Sequence, residues 1–205
     1  MKKNRMMRLA SILLVCVLLT TSVISGTFAK YTTTVTNSDT ARVAAWGFGT
    51  TTTLDFDLFS SSYNDSVVSS NSDKVIAPGT TQSETIKLNY AGTSGKAAPE
   101  VDYTIKLAVD DANTNIDQSI LDNTAITWTF GSTTGTWEQV KTAINAYTQD
   151  VEANALPDLA NTGVTISWTW EFEKAGNDAT DTAMGDADPL ASCTIAIKLT
   201  AEQRD

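Results

Sequence analysis

Val164 to Phe172 reads V-T-I-S-W-T-W-E-F. Val164, Ile166, Trp168, Trp170 and Phe172 fall on one side of a period-two repeat, with Thr165, Ser167, Thr169 and Glu171 on the other. Such alternation specifies a half-buried strand, apolar and aromatic side chains toward a core and polar ones toward water. The same rhythm recurs outward along the chain. Val101 to Val109 groups Val101, Tyr103, Ile105, Leu107 and Val109. Ala125 to Phe130 groups Ile126, Trp128 and Phe130, Gln82 to Tyr90 groups Ile86, Leu88 and Tyr90, and Ala191 to Leu199 groups Cys193, Ile195, Ile197 and Leu199. Nearer the N-terminus, Lys30 to Asn37, Ala41 to Phe48 and Thr50 to Phe59 (with L-D-F-D-L-F) read as three more strands. Pro78-Gly79 marks a turn, because Pro presets one dihedral and Gly takes the next. The Ser/Asn/Asp-rich stretch from Ser60 to Asp73 reads as a long loop. No βαβ rhythm appears. The expectation is an all-β chain, an antiparallel β-sandwich of eight or nine strands.

One segment breaks the rhythm. Between Thr136 and Tyr147, Trp137, Val140, Ile144 and Tyr147 recur at helical spacing, and Thr136 with Gln139 matches a capping box. An amphipathic helix inserted over residues 136–148 is expected. The remainder of 30–205 reads as one domain.

The 205 residues carry a formal net charge of −10 and contain no histidine. Acidity on this scale opposes nucleic acid and anionic lipid as partners. The lack of histidine removes Ser-His-Asp and Cys-His nucleophile systems and the usual zinc ligand sets. No converging set of catalytic side chains is visible, so the chain is not read as an enzyme.

The N-terminus reads as an export address. Lys2, Lys3, Arg5 and Arg8 form a basic start without an acid, Leu9 to Ile24 an apolar run, and Thr27 and Ala29 a small-residue cleavage pattern. Signal peptidase is expected to cut between Ala29 and Lys30, leaving a secreted chain whose only membrane association is the signal itself. Losing those four basic residues takes the net charge to −14. Cys16 leaves with the signal, and Cys193 is then the single cysteine, read as a small apolar core residue.

The junction G-T-F-A-K-Y, with N-S-D-T-A-R-V-A-A-W-G-F after it, resembles the SipW-dependent signal type of Gram-positive bacteria. Ala77 to Thr80 (A-P-G-T), Glu100 to Ile105 (E-V-D-Y-T-I), Ile166 to Phe172, Asp181 to Gly185 (D-T-A-M-G) and the terminal T-I-A-I-K-L-T-A-E-Q extend the likeness to the TasA/camelysin family of biofilm-matrix and spore-surface proteins. The resemblance implies a jelly-roll form of the sandwich and a structural role in extracellular matrix fibres or on a cell or spore surface. It also implies partners of the chain's own kind, in a head-to-tail homopolymer, or related matrix fibre proteins. A segment around Thr136 to Pro157 stands as an insertion relative to the family.

Three features carry candidate chemistry. Lys30 to Asn37 alternates Tyr31, Thr33 and Val35 against Thr32, Thr34 and Thr36; once freed by cleavage, it is a strand fit to complete a neighbour's sheet, the alternative being a terminal strand that pairs within its own sandwich. The acid-rich stretch with Asp178, Asp181, Asp186 and Asp188 reads as a loop able to offer oxygens to calcium, though not at EF-hand spacing. Trp168 and Trp170 read as core, with an aromatic glycan platform as the alternative. Glu171 and Glu173 share the opposite strand face and point to water. The alternative to a matrix fibre protein is a monomeric surface module that binds glycan or calcium.

Overall fold

The computed structural model describes residues 5–29, 41–64, 66–92 and 95–205. They divide into two compact units, one ending at Val43 and one running from Ala44 to Asp205. The first contains helix α1 (Arg5–Ala29), the stretch read as the export signal. Its leucine-rich run is free of proline, which suits a helix. Among the described residues no helix is long and apolar enough to cross a membrane.

The second unit is mainly β. Its order is β1 (Thr53–Asp55), β2 (Ser62–Tyr63), β3 (Val67–Val68), β4 (Thr81–Asn89), β5 (Tyr103–Val109), β6 (Asn115–Ile116), α2 (Gln118–Leu121), β7 (Ile126–Phe130), β8 (Thr133–Gly135), α3 (Trp137–Asn145), β9 (Thr148–Val151), α4 (Asp158–Asn161), β10 (Val164–Trp170), α5 (Asp178–Gly185), β11 (Cys193–Thr194) and β12 (Ile197–Gln203). A five-stranded sheet has the order β1-β4-β10-β7-β8, and a three-stranded sheet the order β12-β5-β9. β2-β3 and β11-β6 form two further two-stranded pairs, and every pairing among the described residues is antiparallel.

The alternation seen in sequence sets the register. Trp168 lies opposite Trp128 on one side and Gln82 on the other. A one-residue slip would turn both tryptophans to water, so the register is strongly fixed. Trp168 is 1% exposed, and its Nε1–H donates to the Leu58 carbonyl at 3.0 Å. Tyr103, Ile105, Leu107 and Val109 of β5 join the same buried cluster as Ile86, Ile126, Trp128, Phe130 and Ile166 of the larger sheet. The expected helix is α3. Gln139 Oε1 accepts the Thr136 backbone N–H at 2.9 Å, the backward arm of the capping box. Trp137, Val140 and Ile144 are buried, α3 touches β5, β7 and β8, and the Trp137 ring stands edge-on to Trp128 at 5.3 Å.

Several strand expectations are corrected. Ala41 to Phe48 forms no strand; Gly47 takes φ 91°, and only Phe48 makes an isolated bridge, to Gly92. Thr50 to Phe59 shortens to β1, and the following residues leave the sheet so that Leu58 can enter the core. The Ser60 to Asp73 loop contains the small β2-β3 hairpin. Ala191 to Leu199 is split between two sheets, because the Thr114 hydroxyl bonds both the N–H and the C=O of Ala196 and replaces a ladder partner there. The Val164 strand stops at Trp170, leaving Phe172 65% exposed and Glu173 at φ 58°, so Glu171 and Glu173 share no strand face. Lys30 to Asn37 lies outside the described residues.

Candidate functional site

The second unit begins with a clamped segment. The Ala45 N–H donates to Glu100 Oε2 at 2.9 Å, and the Ala45 carbonyl accepts the Glu100 N–H at 3.0 Å. Lys96 Nζ holds the other oxygen of that carboxylate at 3.2 Å. Two residues on, the Gly47 carbonyl accepts the Tyr90 hydroxyl at 2.7 Å, and the Gly49 N–H donates to the Ala91 carbonyl at 2.6 Å. A Cβ on Gly47 would lie 2.7 Å from Tyr90 Oη and 2.9 Å from Pro99 Cα, so glycine is required by both space and φ. On either side of it, Phe48 packs against the core while Trp46 stays 38% exposed. Phe48 packs edge-on to Tyr90 and Tyr103 at 5.5 Å each, and Trp46 lies 6.4 Å from Tyr103. Burial, then the neighbouring Tyr90, pushes the Tyr103 phenol up to about 12.

Trp46 and Phe48 wall a groove of about 380 Å³, completed by Thr52, by Thr53, Leu54 and Leu88 of the five-stranded sheet and by Leu199 and Ala201 of the three-stranded one. The strands that supply Leu54, Leu199 and Ala201, β1 and β12, are sheet edges. In the β5-β12 ladder the Asp110 N–H donates to the Ala196 carbonyl and the Arg204 N–H to the Asp102 carbonyl. Antiparallel alternation therefore turns the backbone groups of Ile197, Leu199, Ala201 and Gln203 away from β5, toward the free edge. Among the described residues no strand pairs with that edge. Edges of this kind accept further strands. At β8 and at β5, by contrast, α3 supplies the apolar cover.

The four aspartates read as calcium ligands are not brought together. Asp178 and Asp181 stand on helix α5 rather than a loop, Asp186 caps its end, and Asp188 precedes Pro189. Asp181 has an internal task. Its Oδ1 accepts from Asn177 Nδ2 at 2.6 Å, Asn123 Nδ2 at 2.9 Å and Trp170 Nε1 at 3.2 Å. Among the described residues no three acidic or cysteine side chains are grouped to hold a metal ion. Trp168 and Trp170 are buried, which removes them as a sugar platform. Cys193 is half-buried; burial, then the nearby Asp117 carboxylate, pushes its thiol up to about 12. Such a thiol is a poor nucleophile at neutral pH.

Ala29 ends α1, while Lys30, Tyr31, Thr33 and Val35 lie outside the described residues. The sequence reading missed the Ala45–Gly49 clamp and the Asp181 cluster. A glycine between two aromatics is a signal of close backbone approach that points to the clamp. No family model matches the chain, and no curated protein matches it.

Proposed function

We propose that the chain is an exported structural protein of the TasA/camelysin type, and that the strand freed by signal cleavage completes the sheet of the next copy. In this reading the two sheets form a jelly-roll-like sandwich with one flank left open between β1 and β12. The observation that carries it is the groove on that flank, lined by apolar side chains from both sheets together with Thr52 and Thr53, and bordered by β12, whose outward backbone groups have no strand beside them among the described residues. An incoming strand that alternates Tyr31, Thr33 and Val35 against threonines supplies what the groove lacks: backbone donors and acceptors for an edge, and side chains for a floor of mixed leucine and threonine. Donor and acceptor differ, so the contact runs head to tail and need not close. Before cleavage the same segment is joined to the signal, which makes processing the trigger. The product is a fibre of the extracellular matrix or cell surface.

The test is electron microscopy and size-exclusion chromatography of the processed chain between neutral and acidic pH. Polymers are expected, and more readily at acidic pH, where protonated carboxylates lessen self-repulsion. A variant without Lys30 to Asn37 should stay monomeric. Normal fibres from that variant would overturn the reading.

A further inference from the structure

The outer face of the five-stranded sheet is a field of hydroxyls. The register aligns Ser83, Ser167, Thr129 and Thr134 in one row across four strands. A parallel row sets Thr81 beside Thr169 and Thr127, and Thr85 faces Thr165. Neighbouring hydroxyls already touch, Thr81 to Thr169 at 2.9 Å and Thr129 to Thr134 at 3.0 Å. Among the described residues no charged side chain stands within this field; Lys87 opposite Asp55 borders one end, and Glu171 the other. The three-stranded sheet treats its outer face differently. There Lys106 pairs with Glu202 at 2.6 Å and Arg204 with Asp150 at 2.9 Å. In a chain of net charge −10 the hydroxyl field is the sheet face on which two copies can meet without facing like charges.

We propose that this face is a lateral docking surface for the same face of a second copy, and that it binds fibres side by side. The inference extends the fibre reading above. Threonine suits the contact, offering a methyl to bury and a hydroxyl able to exchange its cross-strand partner for one across the interface. Strand spacing and rise give the field roughly 300 Å², against about 800 Å² per partner in a stable complex. One pair of copies therefore separates readily, whereas a polymer repeats the contact along its length and gains from multivalency. The partner is a second copy rather than an ionic or aromatic-binding ligand, because the face presents neither charge nor an exposed ring.

Two measurements decide it. Ser167→Asp and Thr129→Asp place like charges at the centre of the contact, and Thr180→Asp, exposed on α5, is the control. Fibres of the first two should remain but lose side-by-side bundling by electron microscopy, while the control bundles as wild type does. Bundling unchanged by Ser167→Asp and Thr129→Asp overturns the proposal. If no fibres form in any chain, the fibre reading fails, and the second measurement still decides this contact. Under mild oxidation of concentrated protein, Ser167→Cys should give disulfide dimers about tenfold faster than Thr180→Cys, the gain expected from local concentration at a docked face. Equal rates overturn it.

Discussion

Gly47→Ala should release the segment that leads into the proposed donor strand. Alanine at φ 91° costs about 1–2 kcal/mol. Its Cβ would lie 2.7 Å from Tyr90 Oη and 2.9 Å from Pro99 Cα, so the tyrosine must withdraw from the Gly47 carbonyl. Losing that hydrogen bond adds about 1 kcal/mol, and the backbone shift forced by Pro99 about 1 more. The sum is about 3–4 kcal/mol, a large share of the 5–15 kcal/mol that holds a typical domain folded. With a urea slope of about 2 kcal/mol/M, the midpoint should fall by about 1.5–2 M. Gly176→Ala is the matched comparison. Gly176 sits at φ 82° with nothing within 4 Å of its would-be Cβ, so only the conformational cost of about 1–2 kcal/mol applies. Urea unfolding followed by tryptophan fluorescence measures both. Equal losses in the two variants would refute the argument that close packing against Tyr90 and Pro99 fixes the segment.

Asp181→Ala strips the shared acceptor from Asn123, Asn177 and Trp170 and should cost about 3–5 kcal/mol in the same assay, whereas exposed Asp178→Ala should stay within about 0.5 kcal/mol. Because Oδ1 of Asp181 is already committed to these donors, millimolar calcium should leave the melting temperature unchanged; a clear rise would restore the calcium reading. Stability should fall on alkaline titration. Tyr103 and Cys193 are raised to about 12 from ordinary values of 10.0 and 9.0. Between those limits the folded chain holds protons that the unfolded chain has lost, so the contribution is complete below pH 9 and disappears toward pH 12. A melting temperature flat from pH 8 to 11 would contradict this.

The long strands were legible in the sequence because a residue's side of the strand and its burial coincide. Trp128, Trp168 and Ile105 are apolar at every second place, and they are the residues that fill the core. The helix at Trp137 was equally plain, since its period and its Gln139 cap agree. What failed did so where single side chains redirect the backbone. Thr114 breaks the last strand at Ala196, and the exchange between Glu100 and Ala45 holds an apolar stretch outside any sheet. Both depend on partners more than fifty residues distant, which no local pattern reports. Asp181 was misread for a related reason. Clustered aspartates suggest a solvated loop, but Asn177, four residues earlier, and Asn123 from another element turn one of them into a structural acceptor.

Hydrogen exchange on the monomer and on the acid-grown polymer tests the central claim most directly. The amides of Leu199 and Ala201, which point out from the β12 edge, should exchange quickly in the monomer and become protected in the polymer, together with those of Lys30 to Asn37. A polymer in which those amides exchange as they do in the monomer, or a monomer in which they are protected already, would contradict strand donation into this groove.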